Sequence, residues 1–331
     1  MTFPKISVIL PVFNCSQFIT ESVQSIISQT YTNFEFIIID DCSTDGTYEY
    51  LRSLKDDRIK LIRKSKNTGY TISLNIGIEL AKGEYIARMD GDDISLTDRF
   101  MKQVDFMDKN PDVVVCGGAY KTIGTGLDFS PKISHDEIIL EMISKTPFAH
   151  PTVFIRNSIL KANNIFYEPA YEPSEDYRLW TILAKFGKLA NLNDVLIYYR
   201  THQSQTSRVN NMIQKRNAKK VSLEFIEVLS NRNPASEVFC TPEIHSISDL
   251  KKYEDVENAI RNTLAKWGIK FSNSFFEYRK CNALKRSLTY DHYSVRKAFN
   301  DLKLLLAVSG LIGNKFLFKY IMKSSLFWKT N

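Results

Sequence analysis

The chain has 331 residues, 44% hydrophobic and 24% charged, a balance that reads as soluble and globular and allows one large domain with an appendage, or two domains. Its five scattered cysteines (Cys15, Cys42, Cys116, Cys240, Cys281) lack paired metal spacing, and an odd count without a framework points to a reducing compartment rather than a disulfide scaffold. The net charge of +7 is uneven: residues 251–331 hold 16 Lys/Arg against 6 Asp/Glu, and the remainder holds 28 against 31.

The first strand is expected at Ile6–Leu10. With no basic start, long apolar stretch or cleavage site ahead of it, a secretory leader is not expected. No apolar run is long enough to span a bilayer, so a cytoplasmic location is expected. Ser16 is expected to cap a helix whose Ile19, Val23, Ile26 and Ile27 recur at helical spacing. A second strand is predicted at Glu35–Ile39, then a Ser43-Thr44-Asp45-Gly46 turn into a helix through Tyr50 and Leu51. A third strand follows at Ile59–Ile62, a helix through Ile72 to Leu80 that closes near Gly83, and a fourth strand at Tyr85–Met89. A helix over Leu96–Lys109 stops at Asn110-Pro111 before a strand at Val113–Cys116. Strands alternating with helices imply an α/β fold with a doubly wound, mostly parallel sheet.

From about Pro131 the pattern loosens. His150-Pro151-Thr152 turns into a strand, Ser174 caps a helix with Glu175 and Asp176 in its first turn, and Val195–Tyr199 is a strand leading to Arg200 and His202. Beyond about Asn210 the chain reads as helical, with a polar loop near Asn231 to Ser246. The division expected is a catalytic domain over 1–210 and a basic helical region over 211–331.

In a parallel sheet, ligands bind outside the carboxyl ends of the strands. Those ends here carry Pro11-Val12-Phe13-Asn14, Asp40-Asp41 and Asp90-Gly91-Asp92-Asp93. Crowded carboxylates repel unless a cation lies between them. A hard divalent ion such as Mn²⁺ or Mg²⁺ suits that oxygen set and shares its ligands with a phosphate; the alternative is a solvated acidic turn. The first turn has no Gly-x-Gly-x-x-Gly, which argues against a nicotinamide-cofactor domain, and no Gly-Lys-Ser/Thr phosphate loop is present.

With these pieces in order, the sequence resembles the family 2 glycosyltransferases of bacterial surface-polysaccharide (O-antigen or capsule) type, which have a GT-A fold. The likeness rests on Ser7–Asn14, Ser25–Thr30, Ile38–Thr47, Asn67-Thr68-Gly69, Gly83–Ile86, Met89–Asp93, Asp98-Arg99 and Ser174–Tyr177, in the family's order across roughly residues 4–205. Cys42 stands where glycine is commoner, and a small residue is expected to fit.

The resemblance implies a nucleotide-sugar donor and transfer to a hydroxyl. Pro11 and Phe13 fall in the nucleotide-contacting loop. Asp40 or Asp41 accepts a hydrogen bond from a uracil or ribose edge, and the other caps the following helix. Asn67, Arg88 and Asp90 are placed in donor contact, with Asp90 facing ribose or metal and Asp92 ligating the metal. Asp93 is expected to support these or to cap a helix. Asp176 is the expected base and Glu175 its partner or acceptor guide. His202 is expected to reach the diphosphate or complete the metal shell, and Arg200 to offset phosphate charge. His150 follows the pattern less strictly.

The implied enzyme is an inverting, metal-dependent hexosyltransferase that uses a UDP-sugar, glucose or galactose favoured, and forms a β-linkage on a glycan acceptor carried on a lipid diphosphate. A non-catalytic sugar-nucleotide sensor or scaffold, or a transferase acting on a protein or teichoic-type acceptor, is the alternative. Lys315, Lys319 and Lys323 recur every four residues among aromatics and leucines, as in a helix lying on an anionic membrane surface or packed on the catalytic domain. No nucleic-acid recognition motif accompanies the charge.

Overall fold

The computed structural model describes residues 3–124, 128–202, 205, 211–240 and 247–289. The chain divides into two compact units, which meet in sequence at Val221 and Ser222. The first unit holds strands β1 (Ile6–Val12), β2 (Phe34–Asp40), β3 (Ile59–Arg63), β4 (Tyr85–Arg88), β5 (Ile94–Ser95), β6 (Val113–Thr122), β7 (Phe154–Arg156) and β8 (Lys188–Tyr199). Its helices are α1 (Ile19–Ile27), α2 (Thr47–Ser53), α3 (Tyr70–Leu80), α4 (Arg99–Lys109), α5 (His135–Glu141), α6 (Asn157–Asn163) and α7 (Glu175–Leu183). Helix α8 (Asn211–Leu229) runs from the first unit into the second, which continues with α9 (Ser236–Cys240), α10 (Ile247–Lys266) and α11 (Asn273–Thr289).

The eight strands form one sheet in the order β3-β2-β1-β4-β7-β6-β8-β5. The β3-β2-β1-β4 half and the β6-β8 pair are parallel, whereas β7 runs antiparallel to both β4 and β6. The sheet is therefore mixed and mostly parallel, the arrangement of a GT-A fold. Strands β1 and β2 are buried throughout or nearly so, which is why they read as unbroken apolar runs rather than alternating ones. Ile19, Val23 and Ile26 turn the apolar stripe of α1 onto the core formed by Ile6, Val8, Leu10 and Phe36.

The second unit is helical, with Phe239, Tyr253, Val256, Ile260 and Phe276 buried. Its short α9 lies inside the stretch expected to be a polar loop. Among the described residues no helix is long and apolar enough to cross a membrane. Lys315, Lys319 and Lys323 lie outside the described residues.

Local expectations need several corrections. Ser16 does not cap α1: the N-cap position is Phe18, and the Ser16 backbone N–H donates to Asp45 Oδ2 at 2.9 Å. Helix α4 starts at Arg99 rather than Leu96, because Ile94–Ser95 pair with β8 and Leu96 N–H donates to Leu196 O. Ser174 does occupy the N-cap position of α7, but its hydroxyl donates to Gln214 O at 3.1 Å instead of capping. Cys42 adopts φ +67, so the commoner glycine is explained by backbone conformation and not by size alone.

Candidate active site

The carboxyl ends of β1, β2 and β4 and the start of α7 open onto one cleft of about 960 Å³ in the first unit. Pro11, Phe13, Asp41, Asn67, Arg88, Asp90, Asp92, Glu175, Asp176 and His202 all line it. Asp40 does not. It is fully buried, accepts from the Ser43 backbone N–H at 3.2 Å and faces Arg63 Nε at 3.5 Å.

Asp41 is thus the member of its pair that faces the cleft. Lys64 Nζ lies 2.6 Å from its Oδ1, and the Thr68 N–H donates to the same oxygen at 2.9 Å. Neither acid caps α2. The N-cap position of α2 is Gly46; Asp45, one residue ahead of it, accepts from both the Thr47 N–H and the Thr47 hydroxyl. Burial pushes the Asp45 carboxyl up, but hydrogen bonds from Thr47 and Ser16 outweigh it and bring it down to about 2. Phe13 is 48% exposed, a flat apolar face at the rim of the cleft. Asn67 is exposed and accepts from the Gly69 N–H.

The second cluster sits where β4 ends. Asp90, Asp92 and Asp93 offer carboxylate oxygens within 4.8 Å of one another. Gly91 between them has no room for a side chain, since a Cβ there would sit 3.0 Å from Cys15 Sγ. Arg88 forms an ion pair with Asp90. Burial raises the Asp90 carboxyl, against the pull of Arg88 and with the push of Asp92, to about 6. Asp93 is fully buried, and burial together with the charges of Asp90 and Asp92 raises it well above the usual range.

Asp93 does not cap a helix. Its Oδ1 accepts from the Arg200 N–H at 2.9 Å, while its Oδ2 is buried with no hydrogen-bond partner among the described residues. Three crowded acids, one oxygen orphaned and two groups reluctant to ionise, form a hard-oxygen set that fits a divalent cation. His202 Nε2 stands 2.8 Å from Asp92 Oδ2, within the same group.

Arg200 departs from expectation. Its guanidinium pairs with Glu21, donates to Asp92 O at 2.9 Å and lies over the Phe18 ring, so it braces the acidic loop and does not line the cleft.

The third group is Glu175 and Asp176 at the first turn of α7. Glu175 is 2% exposed and accepts from the Tyr70 hydroxyl at 2.8 Å. Burial, then the charge of Asp176, raise the Glu175 carboxyl to about 8. Burial raises Asp176 to about 6, with backbone N–H donation at the helix start pulling the other way. Burial and mutual repulsion thus disfavour charge on both members of the pair. His150 also lines the cleft, with Nδ1 3.9 Å from Glu175 Oε1 and Nε2 2.8 Å from the Tyr167 hydroxyl, and burial holds it neutral.

Three residues around this site were not singled out from sequence. Lys64 and Tyr70 flank Asn67-Thr68-Gly69, so adjacency to that loop is the one signal that pointed to them. Arg99 left a stronger trace in Asp98-Arg99. Fully buried, it donates to Arg88 O at 2.9 Å and braces the end of β4; burial lowers its guanidinium to about 9.

A mixed, mostly parallel sheet of this order, with an acidic cluster at the end of β4 and an acidic pair in the same cleft, is the arrangement of a GT-A fold. Comparison with known proteins agrees. The family described as "Glycosyl transferase family 2" matches residues 7–166. An uncharacterized glycosyltransferase of Haemophilus influenzae is 35% identical over 243 residues, which cover 69% of this chain and 75% of that one. The Escherichia coli UDP-Glc:alpha-D-GlcNAc-diphosphoundecaprenol beta-1,3-glucosyltransferase WfaP is 35% identical over 207 residues, 61% of this chain and 79% of that one. Among solved structures, S. aureus TarS 1-349 in complex with UDP aligns with a TM-score of 0.56 at 18% identity, over 81% of this chain and 93% of that one. The chain belongs to glycosyl transferase family 2.

Proposed function

We propose that the protein is an inverting transferase that moves a hexose from a UDP-sugar to a hydroxyl of a lipid-diphosphate-linked glycan, forming a β-linkage during surface-polysaccharide synthesis. The observation that carries this reading is convergence: Asp41, Asp90, Asp92 and Glu175-Asp176 come from distant stretches of chain and share one cleft, with the buried Asp93 within 4.8 Å of the Asp90 and Asp92 oxygens. Asp41 accepts the imide N–H of the base, and Phe13 and Pro11 close around the nucleotide. Asn67 and Arg88 line the same donor side.

Asp90, Asp92 and Asp93, with His202 alongside, would hold Mn²⁺ or Mg²⁺. Such an ion, when bound, neutralises charge on the departing diphosphate. Asp176 takes the proton from the acceptor hydroxyl as that oxygen attacks the anomeric carbon from the face opposite the leaving group, so the centre inverts. Burial disfavours charge on the neighbouring Glu175 and so limits negative charge in the acceptor's path.

Glucose or galactose is favoured, and the printed activity of WfaP, a UDP-glucose enzyme acting on a diphosphoundecaprenol acceptor, supports both the donor class and the lipid-linked acceptor. The reading divides the chain into a catalytic part over 1–210 and a basic part over 211–331 that rests on the cytoplasmic membrane face. The surplus of basic residues after residue 251 supports the second half of that statement.

Two experiments test it. A donor-by-acceptor screen read by mass spectrometry should yield a hexose added to a lipid-diphosphate glycan with UDP released, and NMR of the product should show a β-linkage. Flotation with anionic liposomes should carry the full-length protein up and leave a chain cut at about Ser294 behind. Failure to float, or equal flotation of both, removes the membrane contact.

A further inference from the structure

The loop between β3 and α3 touches both ends of the cleft. At one end Thr68 N–H donates to Asp41. Two residues later Tyr70 opens α3, and its hydroxyl donates to Glu175 Oε2 at 2.8 Å. Gly69 between them has φ +92, and a Cβ placed there would sit 3.4 Å from Glu172 Oε2. This close passage, in a backbone region that favours glycine, brings the loop against the segment that carries the acidic pair.

We propose that Tyr70 is a positioning residue: it holds the Glu175 carboxyl by one oxygen and so keeps it turned away from Asp176, the residue that faces the acceptor. The inference rests on the reading of Asp176 as base and adds a residue to it. Besides Tyr70, the Glu175 carboxyl is held by its own backbone N–H at the helix start. His150 Nδ1 is 3.9 Å from Oε1, and the tautomer with Nδ1–H lets His150 accept from Tyr167 while facing Glu175. The other charged or titratable groups that bear on the pair are Glu172 and Arg88. Without the Tyr70 hydroxyl, Glu175 is free to turn toward Asp176 and share its proton with the base.

Because Tyr70 joins a loop that also grips Asp41, the donor end and the acceptor end are linked through three consecutive residues. The Tyr70 hydroxyl touches Glu175 while the Asp41 contact is made by the Thr68 backbone, so loss of the hydroxyl predicts an effect on turnover with no loss of nucleotide affinity, which a merely structural residue would not give.

The test compares the full-length protein with its Tyr70→Phe variant, which keeps the ring and removes only the hydroxyl. The first readout needs no activity: a carbon-13 NMR pH titration of the Glu175 side-chain carboxyl, assigned with Glu175→Gln. An O–H that donates to a carboxylate favours the charged form, so its removal should move the Glu175 midpoint to higher pH. The second readout is UDP release from UDP-glucose with Mn²⁺: kcat should fall about tenfold, the upper end of what one lost hydrogen bond accounts for, with the calorimetric Kd for UDP unchanged. An unmoved Glu175 midpoint, or a weakened UDP affinity with kcat intact, overturns the role of Tyr70. Full turnover in Asp176→Asn would instead sink the assignment of the base, while the NMR arm would still decide on Tyr70.

Discussion

Two pairs of adjacent acids, Asp40-Asp41 and Glu175-Asp176, look alike in the sequence and meet opposite fates in the fold. Asp40 faces Arg63, and Asp41 holds Lys64 and a backbone N–H, so the charge of each carboxylate has a counter-charge at hand. Among the described residues Glu175 and Asp176 have no cation within ion-pairing distance apart from a histidine that burial keeps neutral, and burial raises both. The first pair is set among cations and hydrogen-bond donors. The second is set where burial disfavours the charged form, the kind of environment in which acid–base groups are found. Neighbours, not the dipeptide itself, decide which an acidic pair becomes.

The sharpest way to break that contrast is Asp176→Asn. Transfer should drop about 10³-fold with UDP and Mn²⁺ binding retained, and unchanged turnover would reject the base. In the wild type the rate should rise with pH through about 6, because the protonated form that accumulates below that value cannot accept the hydroxyl proton. A pH profile flat across that range would contradict the assignment.

Asp92→Asn should cost about 10²-fold in turnover, since it weakens the set that faces the leaving group. Manganese titration of the variant should need far more metal to reach its plateau; wild-type metal affinity would remove Asp92 from the site.

On the donor side, Lys64→Met should destabilise the fold by about 3 kcal/mol in urea, because it strands a buried charge at Asp41. Adding Asp41→Asn should recover part of that loss, and a double variant no more stable than Lys64→Met would show that the pair is not coupled.

Glu175→Gln should act with the opposite sign. Its carboxyl is raised from 4.5 to about 8 in the fold, so its contribution is complete at low pH and fades as pH rises through 8. The glutamine variant should therefore be more stable than wild type at pH 9, by about 2 kcal/mol, and not at pH 4. Equal thermal midpoints at both pH values would contradict the raised carboxyl.

Much of the fold was legible because its strands are local and pure. Runs such as Phe36-Ile37-Ile38-Ile39 are buried on both faces, and the 3.6-residue rhythm of α1 survives in the sequence. Boundaries failed where tertiary bonds win: Ile94–Ser95 pair across to β8, which delays α4, and Ser16 and Ser174 donate elsewhere instead of capping. The acidic clusters announced themselves by spacing and by their place after strands. What spacing does not carry is orientation. Only the fold places Asp41 in the cleft and Asp40 beneath it, turns Arg200 toward Glu21, and brings the Tyr70 hydroxyl to a residue 105 positions away.

The central claim, that these carboxylates share one cleft for one reaction, is tested most directly by a crystal soaked with UDP and Mn²⁺ and measured at the manganese absorption edge. An anomalous peak within coordination distance of Asp92, with the uracil edge against Asp41 and Asp176 open to the space beyond the diphosphate, is the expected result. A peak away from Asp90, Asp92 and Asp93, or a nucleotide bound outside the cleft, would contradict it.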